Sequence, residues 1–207
     1  MSKALALAFV LVFLTASTTI LAIPVSGATT DENTWETKAP MSQPRAGLGV
    51  VAVNGKIYAI GGASTAPYQN QADNLLSTNE EYDPTTDTWT VKPSMPTPRA
   101  YFAIAAIQNK IYCIGGVVGS EKLFDGFLTR SLFVYSGITE VYDTITETWE
   151  TKASMPTEKG TAKFQANVVD GKIYVIGAKL TYVYDPPADF WIQKTVARRQ
   201  TLHRLRG

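Results

Sequence analysis

Apolar and polar positions follow the same order three times along the chain. Each unit opens with an apolar run of eight residues, "GLGVVAVN", "YFAIAAIQ" or "AKFQANVV". A polar turn follows, and then a second apolar run, "KIYAIGG", "KIYCIGG" or "KIYVIGA". Short runs rich in β-branched and aromatic residues and bounded by turn residues predict β-strands. The pairs Asn54-Gly55 and Asp170-Gly171 predict tight hairpins between the first and second strands.

Two more segments complete each unit. A third strand runs into "EEYD", "EVYD" or "YVYD", and a fourth begins at Trp89, Trp149 or Trp191, always six residues after the aspartate. The connection between the second and third strands varies most, from 6 to 26 residues. Constant spacing indicates packed strands and tight turns, whereas variable spacing indicates surface loops. Four antiparallel strands in about 50 residues predict one blade of a β-propeller.

These markers resemble the kelch repeat family. The resemblance rests on the glycine pair after a strand, the downstream tyrosine, the tryptophan six residues after Asp, and a basic residue ten after the tryptophan (Arg45, Arg99 and Lys159). The motif positions that we assign to the scaffold are Gly61, Gly62, Tyr82, Trp89, Gly115, Gly116, Tyr142, Trp149, Gly177, Tyr184 and Trp191. The resemblance implies an all-β protein of four-stranded propeller blades.

The repeats predict about three blades plus an N-terminal closing strand, in an open or incomplete ring. The predicted segments are a signal peptide at 1–28, a strand of an absent blade at 29–45, blades at 46–99, 100–159 and 160–194, and a disordered basic tail at 195–207. Propellers usually have at least about four blades. The chain is therefore interpreted as a fragment of a longer propeller, as one part of an assembly with a second chain, or as an open array of three blades.

The N-terminus has the pattern of an export signal. Lys3 precedes the apolar run "ALALAFVLVFL", and Ser26 and Ala28 are small residues placed for cleavage after Ala28. An uncleaved anchor is the alternative, although threonines and a serine dilute the apolar stretch. Both readings place the rest of the chain outside the cytoplasm, so we expect a secreted or cell-surface protein with no membrane contact beyond this segment.

Charge and chemistry exclude several functions. Without Lys3 and the four arginines of the tail, 14 basic residues face 18 acidic ones, a poor footprint for nucleic acid. The only histidine, His203, lies in the tail, so no catalytic, metal or cofactor site is predicted, and the two-histidine copper centre of enzymes resembling galactose oxidase cannot be built. Cys113 occupies the strand position of Ala59 and Val175 and is interpreted as a buried apolar residue.

Function is expected in the variable loops. The candidate binding residues combine aromatic and charged side chains that a contact patch would use: Tyr68, Asn70, Asp73, Lys122, Phe124, Asp125, Phe127 and Arg130. The segment 117–140 could instead tuck its aromatics under the loop, or "SLFVY" could form an added strand.

The sequence favours an exported module that binds a protein or glycan ligand, with self-association through unclosed blade edges. The alternatives are a carbohydrate-acting enzyme or enzyme subunit, of hydrolase or epimerase type, and a non-functional fragment of a longer propeller. Rim carboxylates could serve such an enzyme as acid and base.

Overall fold

The computed structural model describes residues 34–64, 74–124, 129–156, 164–177 and 180–194, with the backbone alone for 129–131. The chain divides into two compact units, residues 1–37 and residues 38–207. Of the first unit only residues 34–37 are described; they form no strand, and Trp35 is fully exposed. In the second unit, residues 38–45 also run as irregular chain. The N-terminal strand predicted at 29–45 is thus absent from its described part.

Three four-stranded antiparallel sheets form the predicted blades. Blade 1 comprises β1 (Gly49–Val53), β2 (Lys56–Ile60), β3 (Asn79–Asp83) and β4 (Thr88–Lys92). Blade 2 comprises β5 (Ala103–Ile107), β6 (Lys110–Ile114), β9 (Thr139–Asp143) and β10 (Thr148–Lys152). Blade 3 comprises β11 (Gln165–Val169), β12 (Lys172–Ile176), β13 (Thr181–Asp185) and β14 (Phe190–Lys194). In each blade the strands follow one another in chain order, which confirms the four-strand unit.

A fourth, two-stranded sheet stands in place of the longest predicted loop. It consists of β7 (Val117–Phe124) paired with β8 (Thr129–Tyr135), inserted between the second and third strands of blade 2. The added-strand interpretation of "SLFVY" is therefore the correct one for this segment.

The blades pack through their inner strands and two apolar clusters. Strand β1 contacts β5, and β5 contacts β11. One cluster fills the space between blades 1 and 2, with Ile60, Phe102 and Tyr142 among its buried members. The other joins blades 2 and 3, with Ile114, Phe164 and Tyr184 among its members. Neither sheet face can be buried within one blade, so the repeated apolar positions meet across blades.

Glycine is required at the first position of the glycine pairs for two different reasons, backbone conformation and lack of space for a Cβ. The first glycines of the pairs, Gly61 and Gly115, have φ of +62° and +71°, in the left-handed region that favours glycine. Gly177 has no such φ, but a Cβ there would lie 2.5 Å from Cε1 of Phe164. Its backbone N–H donates to the carbonyl of Leu180 at 2.9 Å. In the third repeat, with its short turn, the backbone at Gly177 thus no longer needs a left-handed conformation. Glycine is still required there because a Cβ would clash with the ring of Phe164.

Candidate interaction surface

The variable connections leave the blades at the end where each inner strand begins. Ala46 pairs with Ala63 and Ala100 with Val117, which links the residue before an inner strand to the residue after the glycine pair. The segment 63–78 of blade 1 and the β7–β8 hairpin of blade 2 therefore start from equivalent positions. We name this end of the unit the loop end.

The β7–β8 hairpin presents apolar side chains to solvent. Leu123 and Phe124 at the tip of β7 are exposed, Phe124 to 73% of its surface, and Leu132 on β8 is exposed as well. The register pairs Glu121 with Leu132, so Leu123 and Leu132 lie on one face and Phe124 on the other. Nearer the base, Phe133 packs edge-on against Tyr135 with 6.4 Å between ring centroids. The hairpin thus carries a pair of half-buried aromatic rings nearer its base and an uncovered apolar tip.

A cavity opens at the loop end between blades 2 and 3. Its volume is about 360 Å³, and it is lined by Tyr101, Phe102, Phe164, Gln165 and Ile176. Three aromatic rings and the side chain of Ile176 supply its apolar surface, and the hydroxyl of Tyr101 and the amide of Gln165 are polar groups beside them. Such walls suit apolar or aromatic groups of a ligand.

Tyr101 lines this cavity in a strained conformation. Its φ is +57°, which is uncommon for a bulky residue, and the equivalent residue of blade 1 is Gly47, at φ +64°. The backbone N–H of Tyr101 donates to the carbonyl of Gly47 at 2.7 Å. A Cβ on Gly47 would lie 2.8 Å from Cζ of the Tyr101 ring. The ring of Tyr101 therefore packs on Gly47 of the preceding repeat while its backbone keeps a strained conformation. A glycine at position 101 would adopt this conformation without strain. Strained residues of this kind cluster at functional sites.

The structure places the predicted binding residues only in part. Lys122 and Phe124 lie exposed on β7, and Arg130 lies on β8 with its backbone opposite Leu123. Tyr68, Asn70, Asp73, Asp125 and Phe127 lie outside the described residues. Sequence reasoning missed Tyr101 and the cavity. The signal was present in the aligned repeats, where "RAG" of blade 1 becomes "RAY" in blade 2.

The repeated tyrosine and tryptophan side chains pack against each other within every blade. The ring centroids are 5.0 Å apart for Tyr82 and Trp89, 5.1 Å for Tyr142 and Trp149, and 4.9 Å for Tyr184 and Trp191. Each indole N–H donates to a backbone carbonyl that precedes the blade, at Ala39, Pro93 or Ala153, always at 2.8 Å. These aromatics are held by packing and hydrogen bonds that tie consecutive blades together.

Two of the basic residues at kelch positions, Arg45 and Arg99, form buried ion pairs, and Lys159 lies outside the described residues. Nη2 of Arg45 lies 2.6 Å from Oε2 of Glu80, and Nη2 of Arg99 lies 2.9 Å from Oε2 of Glu140. All four side chains are almost fully buried, and burial lowers the pKa of both guanidinium groups while the glutamates oppose that change. Arg45 also donates to the carbonyls of Gly61, Thr78 and Ala59. These two arginines thus fix the backbone where the chain enters blades 1 and 2, and they are not available to a ligand.

The remaining candidate chemistry is also used by the scaffold. Burial raises the pKa of the Cys113 thiol to about 12, so the group stays protonated and unreactive. The aspartates that follow the tyrosines accept backbone N–H groups, as Asp143 does from Ile145 at 2.9 Å. Within the described ranges, no group of three or more His, Cys, Asp or Glu could hold a metal ion. No helix among those residues is long and apolar enough to cross a membrane.

Comparisons with known proteins agree with this architecture. The family model of the FKB95, Kelch-repeats domain matches residues 25–205. Kelch repeat and BTB domain-containing protein 12 of Homo sapiens is 30% identical over 154 residues, which cover 71% of this chain and 24% of that protein. A putative F-box/kelch-repeat protein of Arabidopsis thaliana is 28% identical over 173 residues, covering 81% of this chain and 42% of that protein.

A solved structure, that of YjhT, shares the fold. The TM-score is 0.61 at 16% identity, and the match covers 80% of this chain and 56% of that one. The chain thus spans between about a quarter and somewhat over half of the length of these proteins. The repeated motif, the three four-stranded sheets and the matching family model lead to one conclusion: the chain belongs to the kelch-repeat family.

Proposed function

We propose that the chain is an exported protein-interaction module that binds its partner through the β7–β8 hairpin. The observation that carries the proposal is the uncovered apolar tip formed by Leu123, Phe124 and Leu132. Burying one such side chain fully is worth roughly 1.5–3 kcal/mol. A contact that covers the tip would therefore supply the few strong anchors on which protein interfaces depend.

Two further features support protein as the ligand. A two-stranded sheet has two edges, so an extended segment of a partner could pair with its backbone while the apolar tip enters a pocket. Charged residues, Glu121 and Lys122, flank the apolar tip on β7 and would give the contact its orientation. The cavity beside Tyr101 lies at the same end, because Ala100 pairs with Val117 at the base of the hairpin.

Substitution of the hairpin tip tests the site. Proteins crosslinked to the native chain in its own cells would be compared with those crosslinked to the double variant Leu123→Ser/Phe124→Ser. Ile145→Ser is the matched control, because Ile145 is equally exposed but lies in the β9–β10 turn, at the opposite end of blade 2. We expect a loss of at least tenfold in the double variant and none in the control. Unchanged capture by the double variant would rule out the hairpin.

The export part of the proposal rests on Lys3, the apolar run and the small residues Ser26 and Ala28. The chain expressed with its native N-terminus should be released from the cell as a protein that begins at Thr29, as N-terminal sequencing would show. A membrane-bound product with Met1 intact would mean that the segment is an anchor. That result would leave the hairpin proposal standing.

A further inference from the structure

Each blade has one face that packs on the next blade along the chain, which we call its leading face. In blades 1 and 2 the leading face carries Ile60 and Ile114, and neither has any exposed surface. The equivalent residue of blade 3, Ile176, exposes 47% of its surface. Val53 and Val169 differ in the same way, buried in blade 1 and exposed in blade 3. The leading face of blade 3 thus keeps Val169 and Ile176 of an inter-blade contact without the contact, while its inner strand carries the polar Gln165 and Asn167 where blade 1 has Gly49 and Val51.

The opposite, trailing face receives the previous blade. In blades 2 and 3 it carries Phe102 and Phe164, which are both buried, and Ile104 packs against the cluster between blades 1 and 2. On blade 1 the equivalent of Ile104 is Val50, which is 54% exposed. Val91 on β4 of the same face is exposed as well. Blade 1 therefore leaves the complementary half of the same contact uncovered around Val50 and Val91, whereas Ala59, Glu80 and Tyr82 of that face are buried.

We propose that a second copy of the chain fills both places. The leading face of blade 3 in one copy packs on the trailing face of blade 1 in the other, and the reverse contact closes a pair with six blades. The contact repeats the internal ones because the same positions of the repeat meet in it, and it does not depend on the proposed function. Heterologous contacts of this kind close into a ring when the rotation between copies allows it.

Residue sizes at the centre of the contact are complementary. Between blades 1 and 2, a Cβ on Gly49 would lie 2.6 Å from Cε2 of Phe102, so the large ring requires the glycine opposite it. At the proposed junction the equivalent residues are Leu48 and Gln165. Leu48 is smaller than the phenylalanine it replaces and Gln165 is larger than the glycine, so the two changes offset each other in part. Gln165 is polar, so its amide has to find a hydrogen-bond partner in the contact.

Charges are complementary at the outer strands. Between blades 1 and 2, Nζ of Lys92 lies 2.7 Å from Oε1 of Glu147. The equivalents at the proposed junction are Lys194, the exposed last residue of β14, and Asp87 on the turn before β4. Opposite charges again meet, and an ion pair of this type orients a contact more than it strengthens it.

The segment that links two blades (the connector), from the end of one fourth strand to the start of the next inner strand, already has a counterpart before blade 1. Between blades 1 and 2 the indole of Trp149 bonds the carbonyl of Pro93, which directly follows β4. On blade 1 the indole of Trp89 bonds the carbonyl of Ala39, the first residue after the stretch "TWETK" that matches a fourth strand. In the pair, β14 of one copy would supply the fourth strand, and the segment from Ala39 to Arg45 of the other would supply the connector. Two chains would thus rebuild what one chain builds internally.

The mass of the purified protein tests the pair. The protein would be expressed with its native N-terminus and purified with whatever N-terminus the cell has produced. Light scattering should then give twice the mass of one chain. Ile176→Lys and Val50→Lys should each give single chains, because a charge on either face removes both junctions. Ile145→Lys, on a turn away from both faces, should leave the mass unchanged. A single-chain mass for the native protein, or an open-ended series of larger species, would overturn the proposal.

Mixing the two variants tests the orientation and remains informative if either variant is less stable. Ile176→Lys keeps an intact trailing face on blade 1, and Val50→Lys keeps an intact leading face on blade 3. One junction can therefore form between them, and the mixture should contain a one-to-one complex, with a dissociation constant at least tenfold above that of the native pair. Pairs formed by either variant alone, with no one-to-one complex of the two variants in the mixture, would show that like faces meet and would overturn the head-to-tail arrangement.

Discussion

Blades 1 and 3 share a set of hydrogen bonds that two residue changes remove in blade 2. In blade 3, Asp189 accepts the hydroxyl of Tyr184 at 2.6 Å and the backbone N–H of Ala153 at 2.8 Å. Asp87 accepts the corresponding groups of Tyr82 and Ala39 in blade 1. In blade 2 the connector residue is Pro93, which has no N–H, and the acid is Glu147, which pairs with Lys92.

The hydroxyl of Tyr142 is consequently buried without a hydrogen-bond partner among the described residues. Burial raises its pKa to about 12, so the hydroxyl remains neutral. Tyr184→Phe should lower the free energy of unfolding by about 1–2 kcal/mol, because it removes a hydrogen bond to a charged group. Tyr142→Phe should change it by less than about 0.5 kcal/mol. Denaturant unfolding of both variants measures the difference, and equal losses would contradict the assignment.

The buried pair of Arg99 and Glu140 makes a second prediction. Arg99→Met leaves Glu140 buried without its cation and should cost about 3–5 kcal/mol of unfolding free energy. The double variant Arg99→Met/Glu140→Leu should recover a large part of that loss, since blade 3 carries Tyr182 at the position of the glutamate. Urea unfolding of the single and double variants would show the recovery. A double variant less stable than Arg99→Met would contradict it.

At the scale of the element, the turns before the fourth strands depend on ionised aspartates. The pKa of Asp143 lies well below its usual range because the N–H of Ile145 donates to the carboxylate, and Lys110, Thr146 and Asn109 also bond to it. A depressed pKa stabilises the folded chain above the unfolded pKa of about 3.9, and the contribution disappears as the pH falls through the lower, folded value.

Asp143→Asn should therefore destabilise blade 2 by about 1 kcal/mol at neutral pH, and the difference from the native chain should shrink below about pH 4. Thermal unfolding followed from pH 7 to pH 2 measures this dependence. Asp170→Asn is the control, since blade 1 already has Asn54 at that position. A difference that stayed constant across the pH range would show that the charge of Asp143 is not the cause.

The elements were predictable where one physical requirement acts alone. The Asn54-Gly55 and Asp170-Gly171 turns have positive φ at all four residues, as tight hairpins require, and the apolar run "KIYAI" predicted the second strand directly. The β7–β8 hairpin appeared only as an alternative, because "VVGSEKLF" mixes glycine and charges with apolar residues and does not alternate cleanly. Tyr101 and the Arg99–Glu140 pair were missed because their roles depend on neighbouring blades, which local patterning does not contain.

At the scale of the whole molecule, one packing scheme explains both what is buried and what is exposed in the three blades. Ile60 and Ile114 are covered because another blade follows each of them, and Ile176 is exposed at the same position of the repeat. The exposed apolar tip of the hairpin is different in kind, since its residues belong to a two-stranded sheet that has no counterpart in the described parts of blades 1 and 3. We therefore expect two independent contact surfaces, one for a copy of the chain and one for a different protein.

The most direct measurement is whether a disulfide forms between two copies at the proposed junction of blade 3 with blade 1. A Cβ on Gly49 would lie 2.9 Å from Cδ1 of Ile104, and the equivalent residues at the junction are Gln165 and Val50. Chains with Gln165→Cys and chains with Val50→Cys, both also with Cys113→Ala, would be mixed and mildly oxidised. The packing scheme predicts a crosslinked one-to-one pair in the mixture and little in either chain alone. Crosslinks between identical chains without a crosslink between the two kinds of chain, or no crosslink at all, would contradict it.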